Sequence, residues 1–173
     1  ALLAALQGGP AMLVLALALS AAGDAFLSRN GERAFLGGLA AFLAAHIAYV
    51  ALFWLAGEGV AAIAGQPPRI ILGVAMVAAV ALLLWRLLPA IEPALRGPVA
   101  AYAFAILAMG LASLTLPLPL AILGAALFMA SDALLATGRF LMTPDSRHQS
   151  WTQPAVWALY VAAQLCITLA FVA

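Results

Sequence analysis

Two aspartates lie inside segments of the chain that otherwise read as membrane helices. Asp24 lies in the run LALALSAAGDAFLS, and Asp132 lies in AILGAALFMASDALLA. A carboxylate in hydrocarbon costs roughly 3 kcal/mol even on lenient insertion scales, so its default interpretation is functional: proton chemistry, ion passage or substrate contact. The remaining acids fall near breaks between apolar runs, where water can solvate them: Glu32, Glu58, Glu92 and Asp145.

Such a pair of aspartates is suited to acid–base chemistry if the two side chains come together. Two neighbouring carboxyl groups cannot both ionise cheaply, so one remains protonated beside a carboxylate. This is the arrangement of a general acid with a general base, able to protonate a poor leaving group or an electron-rich carbon and then activate water. Asp24 and Asp132 are therefore the predicted catalytic residues.

Other catalytic arrangements fit the sequence less well. A zinc hydrolase needs about three protein ligands around an open position, and His46 is the one histidine inside an apolar run, so no metal site is predicted. A Ser-His-Asp triad lacks its G-x-S-x-G element. An intramembrane aspartyl protease would carry G-x-G-D, where this chain has Ala21-Ala22-Gly23-Asp24.

Composition identifies the class of protein that must position these residues. The chain of 173 residues is 68% hydrophobic and 8% charged, with a mean hydropathy of +1.18, which is typical of an integral membrane protein. Its net charge of +1 gives no indication of nucleic-acid binding, and the single Cys166 excludes a disulfide framework. The prediction is an all-α, polytopic transmembrane helical bundle.

Apolar runs of about 20 residues set the predicted spans. Residues 1–7 read as the stub of a further helix, and we expect an N-terminal segment to be missing before it, because the chain does not begin with Met. The whole of 1–173 is predicted to form a single integral membrane domain. The six full spans are predicted at about 10–28, 34–56, 69–88, 97–115, 119–138 and 153–172.

Arginine placement predicts the orientation. Six of the seven basic residues lie in the loops after spans one, three and five, and Arg69 alone lies on the opposite side. By the positive-inside rule those three loops face the cytoplasm, and the Ala-rich, Lys-free composition favours a bacterial inner membrane. Asp24 and Asp132 then both lie roughly 6–10 Å below the cytoplasmic face.

Further polar residues could line the same cavity, and each has a structural alternative. His46 and Tyr49 share a helix face and could form a satisfied buried pair. Tyr102 and Tyr160 could be membrane-interface residues, and Gln164 could join helices. The residues predicted to bind or orient a substrate are His46, Tyr49, Tyr102, Ser131, Tyr160 and Gln164.

Four sequence elements, in order, resemble those of the YhhN family of lysoplasmalogenases. Residues 20–24 match S-x-x-G-D, and residues 38–49 match G-x-x-x-F-x-x-x-H-x-x-Y. Residues 124–132 match G-x-x-x-F-x-x-S-D, and residues 160–164 match Y-x-x-x-Q, while Tyr102 with Met109 fits the helix between. The resemblance covers nearly all of the chain. The family has about eight helices, so it implies that roughly one and a half precede this sequence.

The resemblance implies an enzyme that hydrolyses the vinyl ether bond of lysoplasmalogens. The products would be a fatty aldehyde and glycerophosphoethanolamine or glycerophosphocholine. Asp24 and Asp132 would protonate the alkene carbon and activate water, and neither a metal nor an organic cofactor would be required. The expected partner is a lysophospholipid within the bilayer, whose phosphate could meet Arg96 or Arg139.

Two other functions remain open from the residues alone. One is a proton-coupled transporter or lipid-binding protein that uses the intramembrane aspartates, although no inverted repeat is evident. The other is a hydrolase of the same fold that acts on a different ether or ester. The sequence predicts neither the oligomeric state nor the headgroup preference.

Overall fold

The structure, a computed structural model, describes residues 1, 4–5, 8–143 and 145–173. No β-strand occurs among these residues, so the all-α prediction is confirmed. The α-helices with described bounds are α1 (Ala11–Leu27), α2 (Glu32–Ala56), α3 (Ala61–Ala64), α4 (Pro67–Leu87), α5 (Pro93–Ser113), α6 (Pro119–Phe140) and α7 (Gln149–Val172). A 3-10 turn, Leu88–Ala90, continues α4.

The predicted spans correspond to α1, α2, α4, α5, α6 and α7. The largest differences are at the starts of α5 and α7, which begin at Pro93 and Gln149 instead of 97 and 153. Hydropathy detects only the apolar part of a helix, and both of these helices begin with a more polar first turn. The predicted N-terminal stub over residues 1–7 lies largely outside the described residues.

Among the described residues, five helices are long and apolar enough to cross a membrane: Glu32–Ala56, Pro67–Ala90, Pro93–Ser113, Pro119–Phe140 and Gln149–Val172. Helix α1 is equally apolar but has 17 residues, which is the lower end of the usual length of a transmembrane helix. The chain is therefore a multi-pass membrane protein.

The helix ends follow from local sequence. Prolines stand at the start of α4, α5 and α6, where the missing N–H has no helical acceptor to lose. Between α1 and α2, Gly31 adopts a φ of +106°, a left-handed value that favours glycine. This turn lets α2 run back along α1.

At the opposite end of the bundle, two hydrogen bonds join separate connections. The Glu58 amide donates to the Thr115 carbonyl oxygen at 2.9 Å. The Arg69 guanidinium donates to the Leu114 carbonyl oxygen at 2.7 Å. These bonds hold the segments around α3 against the link between α5 and α6.

Helix α2 lies at the centre of the packing, between α1 and α5, while α6 packs closely along α7. Small residues make these close approaches possible, as is usual where helices pack in lipid. A methyl group on Gly124 would lie 2.7 Å from Ile167 Cγ1 and 2.9 Å from the Ala163 carbonyl oxygen. The buried aromatic rings of Phe42, Tyr49, Phe53 and Phe128 fill the space between the helices.

Candidate active site

Asp24 is held by a tyrosine from the far end of the chain. It lies in the last turn of α1, and its carboxylate oxygen Oδ2 accepts a hydrogen bond from the Tyr160 hydroxyl of α7 at 2.9 Å. Both side chains are partly buried. Asp24 does not bond to Ser20, which lies four residues earlier on the same helix, because Ser20 Oγ has no hydrogen-bond partner among the described residues. The contact therefore joins α1 to α7 through the Asp24 side chain.

Asp132 is held by a second tyrosine and faces a histidine. The Tyr102 hydroxyl of α5 donates to Asp132 Oδ2 on α6. His46 Nε2 on α2 lies 4.0 Å from the same oxygen, and the Asp132 side chain is only 14% exposed. Three helices thus converge on one carboxyl group.

The hydrogen bonding of His46 determines which of its nitrogens faces Asp132 as an acceptor. Nδ1 lies 2.6 Å from the carbonyl oxygen of Phe42, one turn earlier in α2. A carbonyl oxygen can only accept, so Nδ1 carries the proton and the neutral ring presents a lone pair at Nε2. Nε2 is buried and has no hydrogen-bond partner in the described part of the chain. Asp132 Oδ2, at 4.0 Å, lies beyond hydrogen-bonding distance of this lone pair.

Aromatic rings connect the two aspartate groups. The Phe128 ring centroid lies 4.8 Å from that of His46 and 5.4 Å from that of Tyr160. Within residues 8–143 and 145–173, no hydrogen bond joins the two carboxyl groups to each other. Asp24 and Asp132 thus belong to two separate polar groups rather than to a directly bonded pair. Both groups lie against the packed rings of Phe42 and Phe128, which form an aromatic wall.

A further polar group lies beside Tyr160. The Tyr49 hydroxyl of α2 donates to Gln164 Oε1 of α7 at 2.5 Å. Ser20, on α1, borders the phenols of both Tyr49 and Tyr160. His46 and Tyr49 share a helix face as predicted, but each bonds to other residues, so the His–Tyr pair does not form.

Ser131 has a different place from the other predicted residues. Its hydroxyl donates to the Val156 carbonyl oxygen of α7 at 3.0 Å, so it joins α6 to α7.

The residues predicted for the site did not include Ser20, although its position four residues before Asp24 puts both on one face of α1. That spacing was the signal that could have identified it.

A glycine allows the aromatic wall to approach Asp24. A methyl group on Gly23 would lie 2.5 Å from the Phe42 ring, so only glycine fits between α1 and this side chain. The Phe42 ring in turn packs edge-on against Tyr160, with centroids 5.9 Å apart. Gly23 therefore helps to place the Tyr160 hydroxyl, which donates a hydrogen bond to Asp24.

The two arginines considered as phosphate ligands differ in their surroundings. Arg96 Nε donates to the Ile91 carbonyl oxygen at 3.0 Å, which fixes the Arg96 side chain to the link between α4 and α5. The Arg139 guanidinium lies over the Phe35 ring, 3.7 Å from its centroid, and is exposed on its other side. A guanidinium stacked in this way keeps its N–H edges available to an anion.

Chemically, the site offers two carboxyl groups that accept from phenols, a neutral imidazole acceptor and a buried amide. Such groups can donate a proton, accept a proton and hold a neutral polar ligand. The described residues contain no cluster of three or more His, Cys, Asp or Glu side chains placed to bind a metal ion.

Comparison with known proteins agrees with the motifs and the helical architecture. The chain is 36% identical over 164 residues to proteins named lysoplasmalogenase from Mycobacterium bovis and Mycobacterium tuberculosis. The match covers 92% of this chain and 59% of each relative, so the chain spans less than two thirds of their length. No solved structure matches it. The model of the YhhN family matches residues 1–171, and the chain belongs to the YhhN family.

Proposed function

We propose that this protein hydrolyses the vinyl ether bond of lysoplasmalogens, releasing a fatty aldehyde and glycerophosphoethanolamine or glycerophosphocholine. The observation that carries the proposal is the placement of two aspartates, each accepting from a tyrosine, around one buried aromatic wall. The similarity to proteins named lysoplasmalogenase supports the same substrate.

The reaction needs one proton donor and one activated water. A proton is added to the alkene carbon that does not bear the ether oxygen, which leaves an oxocarbenium ion at the other alkene carbon. Water adds there and loses a proton, and the hemiacetal collapses to the aldehyde and the glycerol hydroxyl. Two carboxyl groups can perform both proton transfers in turn.

The surroundings of the aspartates favour a division of roles. The neutral His46 presents an acceptor nitrogen to Asp132, which complements a carboxyl group that carries a proton. We assign proton donation to Asp132, with the neutral His46 beside it. Asp24 then stabilises the cation and deprotonates the water, and Tyr102 and Tyr160 orient the two carboxyl groups.

The depth of the site suits a single-chain lipid. Asp24 and Asp132 lie toward the helix ends that the arginine distribution assigns to the cytoplasm, and the vinyl ether of a lipid lies a few ångströms below its headgroup. Arg139, stacked on Phe35, is the side chain best placed to bind the phosphate. The protein would therefore act on a lysophospholipid in the cytoplasmic leaflet of a bacterial inner membrane.

The test is aldehyde release by the purified full-length protein, reconstituted in lipid with a lysoplasmenyl substrate. Asp24→Asn and Asp132→Asn should each abolish release, whereas Asp145→Asn, in an exposed loop, should retain it. In deuterated water, the aldehyde should gain one deuterium at the carbon next to its carbonyl group. A folded wild-type protein that releases no aldehyde would overturn the proposal and favour proton-coupled transport.

A further inference from the structure

One arginine has no part in the proposed reaction. Arg69, in the first turn of α4, is the basic residue that the arginine distribution assigns to the side opposite the cytoplasm. Its Nη1 donates to the Leu114 carbonyl oxygen at 2.7 Å, which uses one of the five guanidinium N–H groups. Within the described part of the chain, no carboxylate oxygen lies within 4.0 Å of this guanidinium, and Glu58, the acid of the neighbouring connection, is exposed. The remaining N–H groups can therefore bind an external anion.

Arg69 stands beside an apolar groove on the surface of the bundle. The groove has a volume of about 400 Å³ and lies between α4 and α5, with Ile63 of α3 also against it. The other side chains that line it are aliphatic. A methyl group on Gly73 would lie 3.2 Å from Leu114 Cδ1, so the absence of a side chain there deepens the groove where the two helices meet.

The length of the groove matches one leaflet of a bilayer. Its lining residues on α4 run from Arg69 to Ala78, which at about 1.5 Å per residue spans roughly 14 Å along the helix axis. Half of the hydrocarbon core of a bilayer is about 15 Å thick. Val74 and Val77, between these ends, are exposed on the outside of the bundle. An acyl chain can therefore lie along α4 with its phosphate level with Arg69.

The electrostatic surroundings of Arg69 favour a headgroup with net negative charge. Helix α4 begins at Pro67, and the N-terminus of a helix carries a partial positive charge. The guanidinium adds a full charge at the same place, and its planar N–H groups fit phosphate oxygens. A choline headgroup would bring a second full positive charge close to these two. Basic side chains beside transmembrane helices are accordingly suited to anionic lipids.

We propose that the groove between α4 and α5 binds an anionic phospholipid of the leaflet opposite the cytoplasm. The phosphate bonds to Arg69, and one acyl chain lies along α4. This site is at the other end of the bundle from Asp24 and Asp132, so its lipid is not the substrate, and the inference does not rest on the proposed function. It gives a role to a basic residue on the side where basic residues are rare.

The experiment titrates the purified full-length protein in detergent with phosphatidylglycerol or with phosphatidylcholine of the same acyl chains. Native mass spectrometry measures the bound lipid. Wild-type protein should retain one phosphatidylglycerol with a Kd at least about tenfold below that of phosphatidylcholine. Arg69→Gln should raise the Kd for phosphatidylglycerol at least about tenfold, because a charged donor to the phosphate is lost. Arg147→Gln, in an exposed loop at the other end of the bundle, is the control and should keep the wild-type Kd.

A second pair of variants tests the groove itself. Val74→Trp places a large side chain in the groove, whereas Ile71→Trp places the same side chain on an exposed position of α4 outside it. Val74→Trp should raise the Kd for phosphatidylglycerol at least about tenfold, and Ile71→Trp should leave it unchanged. An unchanged Kd in Val74→Trp, or an equal rise in both variants, would overturn the assignment to the groove.

Equal affinity of wild type for the two lipids would overturn the inference, as would an unchanged Kd in Arg69→Gln or an equal rise in Arg69→Gln and Arg147→Gln. Wild-type protein that retains no lipid would also overturn it, because another part of the chain or a second copy would then cover the groove. Should Arg69→Gln fail to fold, the wild-type preference and the two tryptophan variants still decide the inference.

Discussion

The hydrogen bond from Tyr102 to Asp132 offers the sharpest test of how the fold positions the proposed proton donor. Tyr102→Phe removes one hydroxyl and leaves the ring, which packs edge-on against His46 with centroids 5.2 Å apart. The helix packing should therefore persist while Asp132 loses its donor. Because Asp132 is only 14% exposed, bulk water replaces that donor poorly.

The expected magnitude follows from the type of bond. Asp132 becomes a carboxylate as it gives up its proton in the proposed reaction, and a hydrogen bond to a charged group contributes about 1.5–3 kcal/mol. If this contribution serves to orient Asp132 for reaction, its loss raises the activation barrier by the same amount, and each ~1.4 kcal/mol is a tenfold change in rate. The predicted fall in kcat is roughly 10- to 150-fold.

The assay is aldehyde release at several concentrations of the lysoplasmenyl lipid. A residue that orients Asp132 should change kcat with little effect on KM, whereas loss of substrate binding would raise KM. Thermal unfolding in the same lipid or detergent checks that the variant is folded. A folded Tyr102→Phe protein with kcat within twofold of wild type would refute the argument that this bond positions a reacting group.

Other features of the structure yield further predictions. Gly124→Ala should destabilise the protein by about 1–3 kcal/mol, since the added methyl meets α7 at 2.7 Å. A lower melting temperature would verify this, and an unchanged one would show that α6 and α7 accommodate the methyl group. Arg139→Ala should raise KM several-fold by removing the proposed phosphate ligand, with Arg147→Ala in an exposed loop as the control; an unchanged KM would exclude that role. His46→Ala should lower kcat by about tenfold or more with the aldehyde still the product, and full activity would remove His46 from the proton-donating group. Activity should show a bell-shaped pH dependence and survive chelators, and loss of activity on metal removal would count against two-carboxylate catalysis.

Much of the fold could be read from the sequence because the relevant signals are local. Hydrophobic runs of about 20 residues identified the helices, and prolines and glycines stand at their ends, as at Pro119 and Gly31. The runs are helical because every backbone polar group must be satisfied within its own segment in lipid. Helices α5 and α7 begin about four residues before their predicted starts, because hydropathy does not report where helical hydrogen bonding begins.

The amino-acid sequence alone identifies Asp24 and Asp132 as candidates for a chemical role, since a carboxylate in an apolar run is costly wherever the helix lies. Their hydrogen-bond partners depend on the tertiary structure. Tyr160 pairs with Asp24 and Tyr102 with Asp132, while Ser131 bonds to the α7 backbone. These choices depend on the rotation and spacing of neighbouring helices, which are set by close packing at small residues far apart in the chain. No local pattern records that geometry, because a helix face specifies only that a side chain points inward and not which side chain it meets.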